Sequence, residues 1–151
     1  MTENTYINKF ANSKFLTERL LAARAVDCYI LEKLSKDVSE LVRQSVVRNI
    51  NCPIHILEEL SKDNNLIVRC EVFLNDSCPI NILDLHSTSI FWQERNNVAC
   101  NINCNSFILK KIYDNESLLF LEDKYYKSFI INSIAANANC PTHILSDIFN
   151  N

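Results

Sequence analysis

The 151-residue chain contains no glycine at all. That absence excludes the Gly-rich loops that cradle phosphates in nucleotide-binding enzymes, and it makes β-hairpins with Gly turns improbable. No Cys-x-x-Cys pair occurs either, and the seven cysteines are an odd number. Reduced thiols suit that count better than a disulfide framework. No stretch approaches the roughly 18 apolar residues of a membrane span, and the opening "MTENTYINKFANSKF" lacks the basic and apolar segments of a secretory signal. A cytoplasmic protein with no membrane partner is expected. Basic residues are outnumbered, 15 against 18 acidic, and they are scattered. A net charge of −3 offers no general attraction to phosphate backbones, so nucleic acid is an unlikely partner.

What is present is a period. The composition, 48% hydrophobic and 22% charged, suits one soluble domain over residues 1–151. Apolar Ile-Leu pairs recur at Ile30-Leu31, Ile56-Leu57, Ile82-Leu83, Ile108-Leu109 and Ile144-Leu145, with steps of 26, 26, 26 and 36 residues. Upstream stand Cys28, Cys52, Cys78, Cys104 and Cys140, and three residues before the last four stand Asn49, Asn75, Asn101 and Asn137. Before each Asn lies an apolar helical segment, "VRQSVVRN", "VRCEVFLN", "ERNNVACN" and "IINSIAAN", with a degenerate first copy "ERLLAARA". Repetition at such a period is the mark of a stacked array.

Each unit reads as two short helical pieces. In the first, Val42, Val46 and Val47 share one side, and the Asn that follows is expected to end the helix in the left-handed conformation. The second starts at Cys-Pro, with proline in the first turn, and turns Ile56, Leu57 and Leu60 inward. Pieces shorter than about 12 residues are not stable alone in water. Stacking would bury a continuous core, giving an all-α solenoid of about five short repeats over residues 18–149. Residues 1–17, with Tyr6, Phe10 and Phe15, are expected to cap it.

The unit resembles the variant leucine-rich repeat, a bacterial repeat similar in style to HEAT-type solenoids. "VRQSVVRNINCPIHILEELSKD", Val42 to Asp63, carries most of its marked positions, and "NANCPTHIL", Asn137 to Leu145, nearly as many. The resemblance implies alternating α- and 3₁₀-like helices in a right-handed superhelix, and no catalytic activity. One known member type carries an N-terminal cysteine cluster for an iron–sulfur centre; no cysteine precedes Cys28, so no cofactor is implied.

The conspicuous residues are read against plainer alternatives. Equivalent positions in stacked helices sit about 8–10 Å apart, too far for five cysteines to share a metal. The cysteines are then small buried residues at the loop-to-helix junction, with Cys100 and Cys104 alone close enough for a two-thiol site. Arg19, Arg43, Arg69 and Arg95 form a row that could follow phosphates, but Asp37 and Asp63 stand six residues before Arg43 and Arg69, which points to Asp–Arg pairs between units. The Asn row suits hydrogen bonding to neighbouring turns. His55 and His143 are 88 residues apart and form no catalytic pair.

The pattern fails in two places. In the third unit His86 replaces the apolar residue of Leu60, Ser89 replaces Asp63, and "IFWQE" introduces Phe91 and Trp92. The plainer account has Leu85 turning inward and Trp92 filling the space. In the fourth unit a ten-residue insertion lies within "YDNESLLFLEDKYYKSF", combining Asp114, Glu116, Glu122 and Asp123 with Phe120, Tyr125 and Tyr126. Insertions in repeat arrays often sit on the binding face, although a lengthened helix is the equal alternative.

The expected function is that of a non-enzymatic protein–protein interaction module without metal or cofactor. Its candidate surface is His86, Phe91, Trp92, Glu122, Asp123, Tyr125 and Tyr126. A sharper alternative is an immunity or antitoxin factor covering a basic toxin. Less favoured are a DNA-binding HEAT-like protein and a metal-binding protein. Oligomeric state is not legible in the sequence.

Overall fold

Short amphipathic pieces separated by Asn- and Pro-containing junctions should fold as helices, and they do. In the computed structural model, which describes residues 3–118 and 124–150, all regular structure is α-helical and no strand occurs among the described residues. The helices are α1 Glu3–Ala11, α2 Leu16–Ala22, α3 Cys28–Leu34, α4 Glu40–Val47, α5 Ile54–Leu60, α6 Leu66–Leu74, α7 Ile80–His86, α8 Trp92–Cys100, α9 Ser106–Leu118, α10 Lys124–Ala136 and α11 Thr142–Asn150. Contacts divide them into two compact units, Met1–Ser77 and Cys78–Asn151.

In the first unit α4 packs against α2 on one side and α6 on the other, while α3 and α5 pack on α4. Val42, Val46 and Val47 of α4 and Ile56 and Leu57 of α5 are wholly buried, as are Ile30, Leu31 and Phe73 within a few per cent. Removing such side chains from water stabilises the unit by roughly 1.5–3 kcal/mol each. α1 lies against α2 and α3. Tyr6 and Phe15 keep about half their surface in solvent. In the second unit α8 packs on α7, α9 and α10, and α10 on α11, around Leu83, Val98, Ala99, Ile108, Leu109, Ile130 and Ile134.

Three local expectations change. The second pieces α3, α5 and α7 are seven-residue α-helices rather than 3₁₀ helices. The tighter pattern is confined to their ends: the Pro53 carbonyl accepts from both Ile56 N–H at 3.0 Å and Leu57 N–H at 3.2 Å. Such sharing is usual at helix termini. Proline is also one position earlier than expected, since Pro53 and Pro79 are N-caps with extended ψ of 146° and 144°. Finally, Asn does not turn left-handed; Asn75 and Asn101 are extended, and no described residue has positive φ. A chain without glycine turns its corners with side-chain amides instead.

Those amides tie successive helical segments together. Asn49 Nδ2 donates to the carbonyls of Ala23 and Ala25 at 3.0 and 2.8 Å, and its Oδ1 accepts from Asn51 N–H. Asn75 does the same toward Val47 and Asn49, and Asn137 toward Ala99 and Asn101. Each donates to one carbonyl at a helix end, that of Ala23, Val47 or Ala99, and to a second just beyond that end, that of Ala25, Asn49 or Asn101.

Candidate interaction surface

The arginine row sits beneath the surface. Arg43 donates through Nε and Nη2 to Asp63 at 2.7 and 3.0 Å, and through Nη1 to the backbone carbonyl of Asp37 at 2.8 Å. The aspartate six residues upstream thus contributes its carbonyl, and the carboxylate comes from the aspartate 20 residues downstream. Arg19 pairs with Asp37 in the same way. Burial raises the Asp63 carboxyl, but hydrogen bonds from Arg43 and from Asn65 N–H outweigh it and hold the group below its ordinary value. The side chains of Arg19, Arg43 and Arg95 are 15%, 17% and 3% exposed. They cannot serve as a phosphate-tracking row while so engaged.

In the second unit the pattern is rewritten. Ser89 stands where aspartate stood, and its Oγ accepts from Phe91 N–H as the Asp63 carboxylate accepts from Asn65 N–H. Its carbonyl accepts from Arg95 Nη1 at 2.6 Å. The carboxylate for Arg95 comes from Glu116 at 2.5 Å, with both side chains almost wholly buried. Glu116, read from sequence as part of an acidic surface insertion, is therefore interior. The reason is the chemistry of Arg95: its buried guanidinium requires a counter-charge, and α9 delivers one.

His86 is likewise held from within. Its Nδ1 lies 3.0 Å from Glu94 Oε2, and the two side chains are 16% and 3% exposed. Both occupy positions that are apolar in other units, Leu60 for His86 and Val42 or Val68 for Glu94. Leu85 does not turn inward to replace the lost apolar contact; it is 66% exposed.

Trp92 opens α8 and stacks on Tyr126 of α10, with ring centroids 4.5 Å apart and planes 17° from parallel. Phe129, one turn further along α10, meets the same indole at 6.3 Å. Tyr126 and Phe129 keep 36% and 46% of their surface exposed, and Phe91, the N-cap of α8, keeps 41%. Of the seven candidates the structure joins Trp92 to Tyr126, places Phe91 beside Trp92 at the helix start, and ties His86 to Glu94. Glu122, Asp123 and the Tyr125 side chain lie outside the described residues. Phe129 lies outside the candidate surface expected from the sequence, although its spacing of three from Tyr126 on a helix is a readable signal.

The repeat cysteines are free thiols. Burial pushes Cys52, Cys78 and Cys104 up to about 12, which leaves them protonated and poorly nucleophilic at neutral pH. Among the described residues no group of three metal-ligating side chains converges. Comparison with known proteins finds no matching family model, no similar curated protein and no similar solved structure.

Proposed function

We propose that the chain is a non-enzymatic protein-binding module, a right-handed solenoid of about five repeats of the variant leucine-rich type. Its partner docks on the aromatic face of α8 and α10. The observation that carries this reading is the stacked trio Trp92, Tyr126 and Phe129, partly open to solvent beside the exposed Phe91 and Ile90. Contiguous apolar surface costs solubility unless it is covered, and Trp and Tyr are the residues that most often dominate interface energetics. The repeat resemblance is supported by the recurring Asn and Arg bonds, which fall on corresponding positions of successive units.

A photo-crosslinking residue placed at Phe91 tests the reading in cells that express the chain. A discrete crosslinked protein is expected, reduced about tenfold or more by Trp92→Ala with Phe129→Ala, a loss typical of interface anchors. Thermal melting of the double variant separates lost docking from lost folding. A crosslink that survives the folded double variant, or none at all, overturns the proposal. Capture of a strongly basic nuclease-like protein would specify the immunity reading.

A further inference from the structure

The first unit carries a separate cleft that the aromatic reading does not use. It has a volume of about 390 Å³ and is formed by the C-terminal ends of α2 and α4 and the junctions after them. Two arginines, Arg24 and Arg48, line it, together with Ser45, Asn51 and Ile50, and no carboxylate does. The two cations differ. Arg48 Nε donates to Glu71 at 2.7 Å and its Nη2 also bonds that carboxylate, so one edge of the guanidinium is occupied and its charge is offset. Its Nη1 has no acceptor among the described residues. Arg24 is exposed and has neither an ion pair nor a side-chain hydrogen bond among the described residues. It breaks the rule of the arginines at Arg19, Arg43, Arg48 and Arg95, each of which has an acidic partner.

The cleft's own lining is mixed, with Ser45, Asn49 and Asn51 beside the two cations, and exposed aliphatic side chains adjoin it: Ile50 lines the cleft, and Val26 lines a neighbouring hollow that shares Arg24. Val26 and Ile50, at the same place in successive junctions, are 75% and 77% exposed, and Leu21 and Leu74 flank them half-exposed. An unpaired guanidinium with aliphatic side chains next to it is complementary to a carboxylate followed by an aliphatic side chain. A nucleic-acid phosphate fits worse: it would lay a hydrated backbone on Val26 and Ile50, and it would meet a chain of net charge −3.

We propose that this cleft binds an extended acidic-aliphatic segment of a partner protein, with a Glu or Asp side chain on Arg24 and Arg48 Nη1 and a neighbouring aliphatic residue on Ile50 and Val26. The site is independent of the aromatic face, and either can fail alone.

A displayed library of random heptapeptides panned against the full chain tests it, because the protein then chooses the sequence. Enrichment of Asp or Glu next to Leu, Ile or Val is expected, and it disappears when Arg24→Gln is panned instead. A heptapeptide alternating Leu and Glu, titrated into isotopically labelled protein, should move the Arg24 Nε–H and Ile50 methyl signals. Binding falls about tenfold for its Leu-Gln counterpart and for Arg24→Gln, as expected for loss of a charge-assisted hydrogen bond. The Arg24 side chain makes no hydrogen bond or ion pair among the described residues, so that variant should keep the wild-type spectrum elsewhere. Ile50→Ser supplies a second variant for the aliphatic half of the site. Absence of acidic enrichment, enrichment that persists in Arg24→Gln, or shifts at this cleft with a single-stranded 12-nucleotide DNA in place of the peptide would each overturn it. Trp92→Ala should leave the peptide response unchanged, which separates this site from the aromatic one.

Discussion

Asn75→Ala removes only a small polar side chain, yet it should be among the most damaging substitutions in the first unit. Asn75 is 8% exposed. Its Nδ2 donates to Val47 O at 2.6 Å and Asn49 O at 3.3 Å, and its Oδ1 accepts from Ser77 N–H at 2.7 Å. Two short bonds at about 1 kcal/mol each, one long bond worth less, and the desolvation cost of the groups left behind sum to about 3 kcal/mol. For a chain of this size that is about 6–12 °C in Tm. Asn139 is the control, because it also donates to two carbonyls, Ile102 O and Cys104 O at 3.1 Å, but it is exposed. Water replaces its bonds, so Asn139→Ala should cost less than about 1 kcal/mol. Asn75→Asp gives the sign: the carboxylate still accepts from Ser77 but faces two carbonyls, so it should be worse than alanine at neutral pH. Its pKa is raised in the folded state, so the loss eases as pH falls and the protonated carboxyl can donate again. Urea denaturation of the four proteins decides the matter. Equal costs for Asn75→Ala and Asn139→Ala, or Asn75→Asp as stable as Asn75→Ala at neutral pH, would refute the account of the Asn row as buried carbonyl partners.

Two further outcomes follow from the second unit and the thiols. Arg95→Met should destabilise by about 3–5 kcal/mol, because it leaves Glu116 as a buried charge without its partner, whereas Arg95→Met with Glu116→Leu should recover most of that loss; equal stability of the single and double variants in chemical denaturation would reject the pairing. A thiol reagent at pH 8 should modify the exposed Cys28 and Cys100 quickly and Cys52, Cys78 and Cys104 only on unfolding, since burial raises the latter three to about 12 and suppresses their thiolates; peptide mapping showing rapid labelling at Cys52 in native protein would contradict that burial.

The parts of the fold legible in the sequence are those set by spacing. Ile56 and Leu57 are wholly buried where the period places them, and the helices fall between the junctions the Asn and Pro residues mark. Backbone conformation at those junctions was less legible. The tolerance of Asn for left-handed backbone predicts a turn of that hand, while its side-chain amide does the bonding and the backbone stays extended. The partner of Arg95 was hidden for a different reason. Counting 52 residues on from Asp63 lands on Asn115, and the insertion shifts the acid by one to Glu116. A one-residue shift on a helix is a rotation of about 100°, so the face reached by Glu116 could not be read from its place in the repeat. The aromatic trio lay between these cases: Trp92 and Tyr126 stood out by composition, and only the packing of α8 on α10 brings them together.

The departures from the repeat in the third and fourth units are not independent of one another. His86 in place of leucine leaves a polar ring at a core position, and Glu94 in place of valine leaves a buried carboxylate; each alone would cost several kcal/mol. Placed 3.0 Å apart, His86 Nδ1 and Glu94 Oε2 share a hydrogen bond that offsets part of that cost. One residue on, Arg95 bonds the Ser89 carbonyl and Glu116, and Ser89 Oγ accepts from Phe91 N–H. The first turn of α8 is therefore fixed by directional bonds from three sides, where Val42 in α4 relies on apolar packing. That turn begins with Trp92 and has Phe91 as its cap. An apolar contact tolerates small slips of a helix, but these bonds weaken steeply with angle and distance. Under the proposed docking on the aromatic face, a stacked indole presented in one orientation would gain from such a footing, and the loss of the apolar repeat beneath it would be the structural cost of holding that face in place.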